Sequence, residues 1–200
     1  MIDSLQELRR VYPEPKPRAL LKQLDRLDVH CRQFVGLAPF LVLATVDKDG
    51  RVDASPRGGA PGFVQVIDDR TLHLPDAFGN NRLDSYANIV QSGRCGTIFF
   101  VPGMDETLRI NGRALLRNEP ELLERFQGER HTPRVVVEIQ VEEAYLHCAK
   151  ALMRSRLWSA DNRIERARFP SMGQMIKQQS GSPEPAETQE QMLARYVNEL

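Results

Sequence analysis

Two short stretches carry residue types that can hold an anion. In Leu74-Pro-Asp-Ala-Phe-Gly-Asn-Asn-Arg-Leu-Asp-Ser a strand ends, a glycine-bearing loop turns and a helix begins. Asn81 reads as the cap of that helix, with Asp84 at its third position. A helix N-terminus offers unpaired N–H groups and partial positive charge, and Arg82 adds a full charge. The combination suits a phosphate, although an ordinary capped helix carries the same pattern. The second stretch, Asp53-Ala-Ser-Pro-Arg-Gly-Gly-Ala-Pro-Gly-Phe, sets Ser55, Arg57 and Gly58 between two hairpins. Glycines let backbone approach a ligand, and arginine offers a two-pronged donor to phosphate oxygens. Each charge-assisted hydrogen bond contributes about 1.5–3 kcal/mol. Three of them, with burial of a ring, reach the roughly 8 kcal/mol of micromolar binding.

Other polar groups are less specific. Arg109, Asn111 and Arg113 alternate with Leu108 and Ile110, which puts them on one face of a strand. His147 and Cys148 are expected on a helix, where neighbours point to different sides and make a poor metal pair. No metal site is expected. Lys150 and Arg154 stand four apart on one helical face, and Trp158 reads as a packing residue. The sequence has no nucleophile elbow, Walker loop, dinucleotide Gly-x-Gly-x-x-Gly or His-Glu-x-x-His, and no general acid or base stands out.

The elements that must position these residues are mainly β. A polar stretch broken by Pro13, Pro15 and Pro17 reads as an extended linker. Leu20, Leu21, Leu24, Leu27, Cys31, Phe34 and Val35 then recur at helical spacing, predicting a helix over 19–35 that ends at Gly36 and Pro39. Strands are expected at 40–46, 51–56, 63–67, 71–74, 95–101, 107–116 and 134–141, with helices at 82–90 and from about Pro120. From Ala144 the period turns helical, Tyr145, Leu146, Ala149, Leu152 and Met153 sharing one face. Short strands with brief turns suit a closed or partly closed barrel with peripheral helices. Beyond Trp158 the chain is polar, and 187–200 could form an amphipathic helix. The organisation is therefore an extension over 1–18, a barrel domain over 19–158, and a polar C-terminal extension over 159–200.

Composition excludes several classes. The chain has 200 residues, 41% of them apolar, and its 27 basic residues balance 27 acidic ones. No net field draws it to nucleic acid or an anionic membrane. No apolar run is long enough to cross a bilayer, and the first residues carry acids without an apolar core, unlike a secretory signal. Three widely spaced cysteines fit neither a disulfide framework nor structural zinc. Free thiols point to a reducing, cytoplasmic location.

Four motifs in order resemble the pyridoxamine 5′-phosphate oxidase-like family of FMN-binding split barrels, in a bacterial branch of unassigned substrate. They are Asp53–Gly58, Gly79–Ser85, Phe99–Ala114 and His147–Trp158. The resemblance runs from about Phe34 to Trp158. It implies a six-stranded antiparallel split β-barrel, a homodimer, and FMN held without covalent attachment between subunits. It assigns Ser55 and Arg57, with the Asn80-Asn81-Arg82 turn, to the phosphate and ribityl chain. Arg109 and Asn111 would lie near the flavin, and His147, Lys150 and Arg154 would close the pocket, from the second subunit if the dimer so places them. The C-terminal arginine-leucine segment of the vitamin-making oxidases is only imperfectly matched by residues 154–159 and 161–166, so vitamin B6 synthesis is not implied. The function expected is FMN-dependent oxidation–reduction of a small molecule. A non-catalytic flavin carrier or sensor is the alternative. Haem through His147, or a deazaflavin through the Arg163, Arg166 and Arg168 cluster, ranks behind both.

Overall fold

The computed structural model describes residues 1–77, 79–126 and 132–197. Three helices precede the sheet: α1 (Leu5–Val11), α2 (Pro17–Leu21) and α3 (Val29–Leu37). The proline-rich extension is therefore not simply extended. Ser4 caps α1, and Pro17 occupies the first turn of α2, where a missing N–H costs nothing. The single helix expected over 19–35 is two helices with a crossing segment between them. Leu24 exchanges backbone hydrogen bonds with Ala144, and the Leu27 amide donates to the Asp69 carbonyl. These bonds pull the chain across the sheet before Asp28 restarts the helix by accepting from the Cys31 amide. Leu27, Cys31, Phe34 and Val35 are buried as expected, whereas Leu20 and Leu21 remain exposed.

The sheet contains β1 (Phe40–Val46), β2 (Val52–Gly58), β3 (Gln65–Val66), β4 (Thr71–Pro75), β5 (Arg94–Phe100), β6 (Thr107–Arg117) and β7 (Val136–His147). Its order is β2-β1-β5-β6-β7-β4-β3, every neighbouring pair antiparallel. Seven strands replace the six of the expected barrel. Among the described residues no ladder joins the outer strands β2 and β3, so the sheet is not closed. The core forms on one face, from Leu41, Leu43, Phe99, Leu108, Ile110, Leu72, Leu74 and Ile139, beneath α3 and α4 (Asp84–Ser92). A smaller cluster joins Val136 to Leu122 of α5 (Pro120–Leu123) and to Phe126.

The helical period expected from Ala144 does not begin there. β7 continues to His147, and the next helix, α6, spans only Lys150–Ser155. The cause is a bulge: Asn111 pairs with Glu143 and Gly112 with Val141, which leaves Glu142 without an opposite residue. Buried positions then run Val137, Ile139, Val141, Ala144, and the final step of three imitates a helix. Gly112 is required at this crossing, because a Cβ there would lie 2.0 Å from the Gln140 carbonyl oxygen. Trp158 anchors the end of this region by donating its indole N–H to the Met104 carbonyl at 2.8 Å. Beyond it lie α7 (Met172–Ser180) and α8 (Gln189–Tyr196), both opened by capping boxes, of which the sequence predicts only the second. No described helix is long and apolar enough to cross a membrane.

Candidate functional site

The two stretches expected to hold an anion meet. β2 is an outer strand of the sheet, and its alternation turns Asp53, Ser55 and Arg57 toward the same side. Across from them lie residues 76, 77 and 79–83, followed by the first turn of α4. Together they enclose a cleft of about 290 Å³ lined by Ser55, Arg57, Asn80, Asn81 and Arg82, among others. Gly58 lies outside that lining: it ends β2 opposite Phe40.

The helix start differs from the capped geometry expected. Asn81 is not the cap. The cap position is Leu83, at φ 59°, and its side chain makes no capping bond. Asn81 also has positive φ, 58°. The reason is local: the Asn80 side chain accepts from the Arg82 amide, closing a tight turn that pushes the helix start two residues onward. The first turn of α4 lines the cleft without a side-chain cap, so the partial positive charge of the helix start stays available to a ligand.

Arg57 is the central group. Its Nε is buried and has no hydrogen-bond partner, and no carboxylate among the described residues forms an ion pair with it. Its guanidinium stands 5.5 Å from the Tyr86 ring centroid, which supports the planar group from one side. An orphaned buried donor costs free energy unless something accepts from it. The acids of the cleft are themselves engaged. Ser85 Oγ donates to Asp53 at 2.6 Å, and the Tyr86 hydroxyl donates to Asp76 at 2.7 Å. Burial foremost, then the Asp76 bond, raises the Tyr86 hydroxyl above its ordinary value, so it stays a neutral donor. Arg82 pairs with Asp84 at 2.8 Å, both exposed to solvent. The donor set therefore fits a phosphate: one guanidinium lacking an acceptor, a second in an easily exchanged surface pair, a hydroxyl, two amide side chains and a helix start.

Sequence reading missed Asp53, Asp76, Ser85 and Tyr86 as parts of this cleft. Asp53 could have been found from the i, i+2 rule along β2, because Ser55 and Arg57 define its face. The pairing of Tyr86 with Asp76 needs the fold.

The remaining candidates gather elsewhere. Arg109 pairs in register with Ile98, which faces Val42 and then Pro56, so it shares the side of the sheet opposite Ser55 and Arg57. Three strand spacings, roughly 14 Å, separate β2 from β6. On that opposite side the Arg109 guanidinium lies 5.7 Å from the Tyr145 ring, and Asn111 donates to Glu143 at 3.0 Å. The His147 ring centroid is 6.4 Å from that of Tyr145. His147 ends a strand rather than lying in a helix, and Lys150 and Arg154 follow it on α6. Among the described residues neither lysine nor arginine there pairs with a carboxylate, and no three His, Cys, Asp or Glu side chains gather as a metal site would require. Cys31 and Cys95 are inert: burial, the larger cause in each, pushes both thiols up to about 12.

A comparison with curated proteins gave no match. Among solved structures, HupZ of Group A Streptococcus aligns with 60% of this chain and 93% of its own, at 19% identity and a TM-score of 0.51, a likeness of fold alone. An FMN-binding protein from Syntrophomonas wolfei subsp. wolfei aligns over 72% of this chain and 97% of its own, at 14% identity and a TM-score of 0.44. A family profile described as pyridoxamine 5′-phosphate oxidase matches residues 27–148, which span β1 to β7, both sides of the sheet and the whole anion cleft. The chain belongs to the pyridoxamine 5′-phosphate oxidase family.

Proposed function

We propose that this protein binds FMN, as a homodimer, and uses it in the oxidation or reduction of a small organic molecule. The observation that carries the reading is the buried, unpartnered Nε of Arg57 in a cleft that ends on an uncapped helix start. Ser55, Asn80 and Asn81 supply neutral donors to the same cleft. Arg82 leaves Asp84 at little cost, because an exposed ion pair contributes little net stability. Asp53 and Asp76 remain held by Ser85 and Tyr86, so the acids do not compete for the arginines. Bound FMN supplies the redox chemistry, and the protein supplies position, charge and exclusion of water.

Arg109, Asn111 and His147 lie on the other side of their own sheet from that cleft, and Lys150 and Arg154 follow them on α6. A second subunit resolves this by bringing its outer face to the first subunit's cleft. Support comes from that face itself, where Phe40, Ala44, Ala54 and Pro56 are exposed. Exposed apolar area of this kind marks an association surface. In this arrangement Arg109 and Lys150 bring positive charge to the flavin of the partner.

The test is the visible spectrum of the purified protein, the mass of its released chromophore, and its sedimentation. FMN in the wild type, lost in Arg57→Ala and Arg82→Ala while the dimer persists, is the expected result. A colourless protein that refuses added FMN would refute the proposal.

A further inference from the structure

Arg109, Arg113 and Arg117 follow one another at four-residue steps on the side of β6 turned away from the core. Two of them are neutralised within the chain. Arg113 meets Glu142 at 3.2 Å, and Arg117 meets Glu138 at 2.7 Å and Glu119 at 2.8 Å. Arg109 pairs with no carboxylate among the described residues, although Glu143 stands on the adjoining strand, opposite Asn111. Glu143 is engaged elsewhere. One of its oxygens accepts from the Gln23 side chain at 2.9 Å and the other from Asn111 at 3.0 Å, so two neutral amides occupy the acid.

A second cation comes to the same place. β4 stops pairing with β7 at Gln140, and Leu24 takes up the open edge by bridging Ala144. This brings in Lys22, whose Nζ donates to the Leu146 carbonyl at 2.8 Å and lies 5.6 Å from the Tyr145 ring centroid. The Arg109 guanidinium lies 5.7 Å from the same centroid, and among the described residues Lys22 has no carboxylate partner either. The ring supports both cations but carries no net charge to offset them. Two exposed like charges on one ring, beside an acid that amides keep engaged, suit an anion from outside the chain. Lys22 and Gln23 precede residue 27, where the family match begins, so membership of the family does not account for them.

We propose that Arg109 and Lys22 hold the carboxylate of a small organic acid, and that this acid is the substrate. Its being the substrate rests on the flavin reading above, in which this face meets the partner's cofactor. The planar guanidinium matches the two carboxylate oxygens, and the lysine adds a point charge. These donors are side chains on a strand and an edge segment, without the helix start that suits the Arg57 cleft to phosphate. Gln23 and Asn111 act as positioning residues, because they keep Glu143 from neutralising the site.

The probe is para-fluorobenzoate, titrated against the full-length protein with its bound cofactor and followed by fluorine NMR. Two charge-assisted hydrogen bonds at an exposed site give an expected dissociation constant on the order of 1 mM. Arg109→Gln and Lys22→Gln should each weaken binding at least about fivefold, whereas Arg113→Gln, the same charge change on the same strand face, should stay within about twofold. Gln23→Leu alters no charge, yet should weaken binding at least about threefold by freeing Glu143 to pair with a cation. The neutral para-fluorobenzamide should not bind saturably, and inorganic phosphate should compete at least about fivefold less well than benzoate. Absence of saturable binding, equal loss in Arg113→Gln, no loss in Gln23→Leu or stronger competition by phosphate overturns the proposal. The visible absorption of the bound flavin should shift over the same titration. Binding without that shift would remove the acid from the flavin and overturn its role as substrate. A protein that binds the acid but no FMN refutes the cofactor reading and leaves the anion site standing, so the two fail separately.

Discussion

Replacing Arg57 by Met separates the phosphate site from every other way of holding a flavin. Methionine keeps a long apolar side chain and removes the charge and all donors. A charge-assisted hydrogen bond contributes about 1.5–3 kcal/mol, so FMN affinity should fall by roughly 10- to 150-fold. Riboflavin has the same ring and ribityl chain without the phosphate, and its affinity should stay within about threefold of wild type. The unliganded variant should lose little stability. The contact of Arg57 with the Tyr86 ring contributes about 0.5–1 kcal/mol. Removing the orphaned Nε releases a desolvation cost of comparable or larger size, about 1–3 kcal/mol. Fluorescence titration of apoprotein with both ligands, alongside thermal melts, gives the ratio directly. Equal weakening of FMN and riboflavin would place Arg57 on the ring or in the fold. No weakening of either would remove it from the site. Either result refutes the argument that its unpartnered donor awaits a phosphate.

Three predictions concern the frame that carries the site. Gly112→Ala sets a methyl group against the Gln140 carbonyl at 2.0 Å, and should destabilise by about 3 kcal/mol or more, measured in urea melts. Gly36→Ala on α3, with nothing near its added methyl, should stabilise by about 0.5–1 kcal/mol in the same assay. Asp28→Ala removes the cap of α3 and should cost about 1 kcal/mol at neutral pH. The Cys31 amide, first among its causes, holds the Asp28 carboxyl below its ordinary 3.8. Its contribution is therefore complete above that value and lost as pH falls through the lower native one. Wild type and variant should converge in stability only in that acid range, and a gap that persists undiminished below it would contradict the capping role.

How much was legible in the sequence depends on how far apart the partners lie. Ser55 and Arg57 were legible as one polar stretch, but their shared face was not, because β2 runs to Gly58, two residues beyond the expected strand. The loop at Asn80–Arg82 suited an anion but equally an ordinary capped helix, and its own residues do not decide between the two. What could not be read was the far half of each contact. The Tyr86 hydroxyl and Asp76 are ten residues apart and look like ordinary surface groups until β4 and α4 converge. The misplaced cap has the same origin in reverse. Asn81 has the right side chain for a cap, but Asn80 closes a turn first, and two competing amides cannot be ranked by type alone.

The error at Ala144 had consequences for function. A bulge at Glu142 shifts the buried face of β7 by one residue, and periodicity takes that shift for the start of a helix. On a helix from Ala144, His147, Lys150 and Arg154 would form one rigid unit apart from Arg109 and Asn111. On the strand, Tyr145 lies beside Arg109 and Glu143 beside Asn111, so the bulge aligns the last third of β7 with the polar face of β6. Gly112 permits that alignment, since any side chain there would strike the bulged strand. The polar face opposite the cleft is therefore aligned by one glutamate with no opposite residue in the register and one glycine. Displacing β7 through Gly112 should disturb Arg109 and Asn111 together, and should reach the cleft around Arg57 only through β4, which pairs with β7 and leads into Asp76.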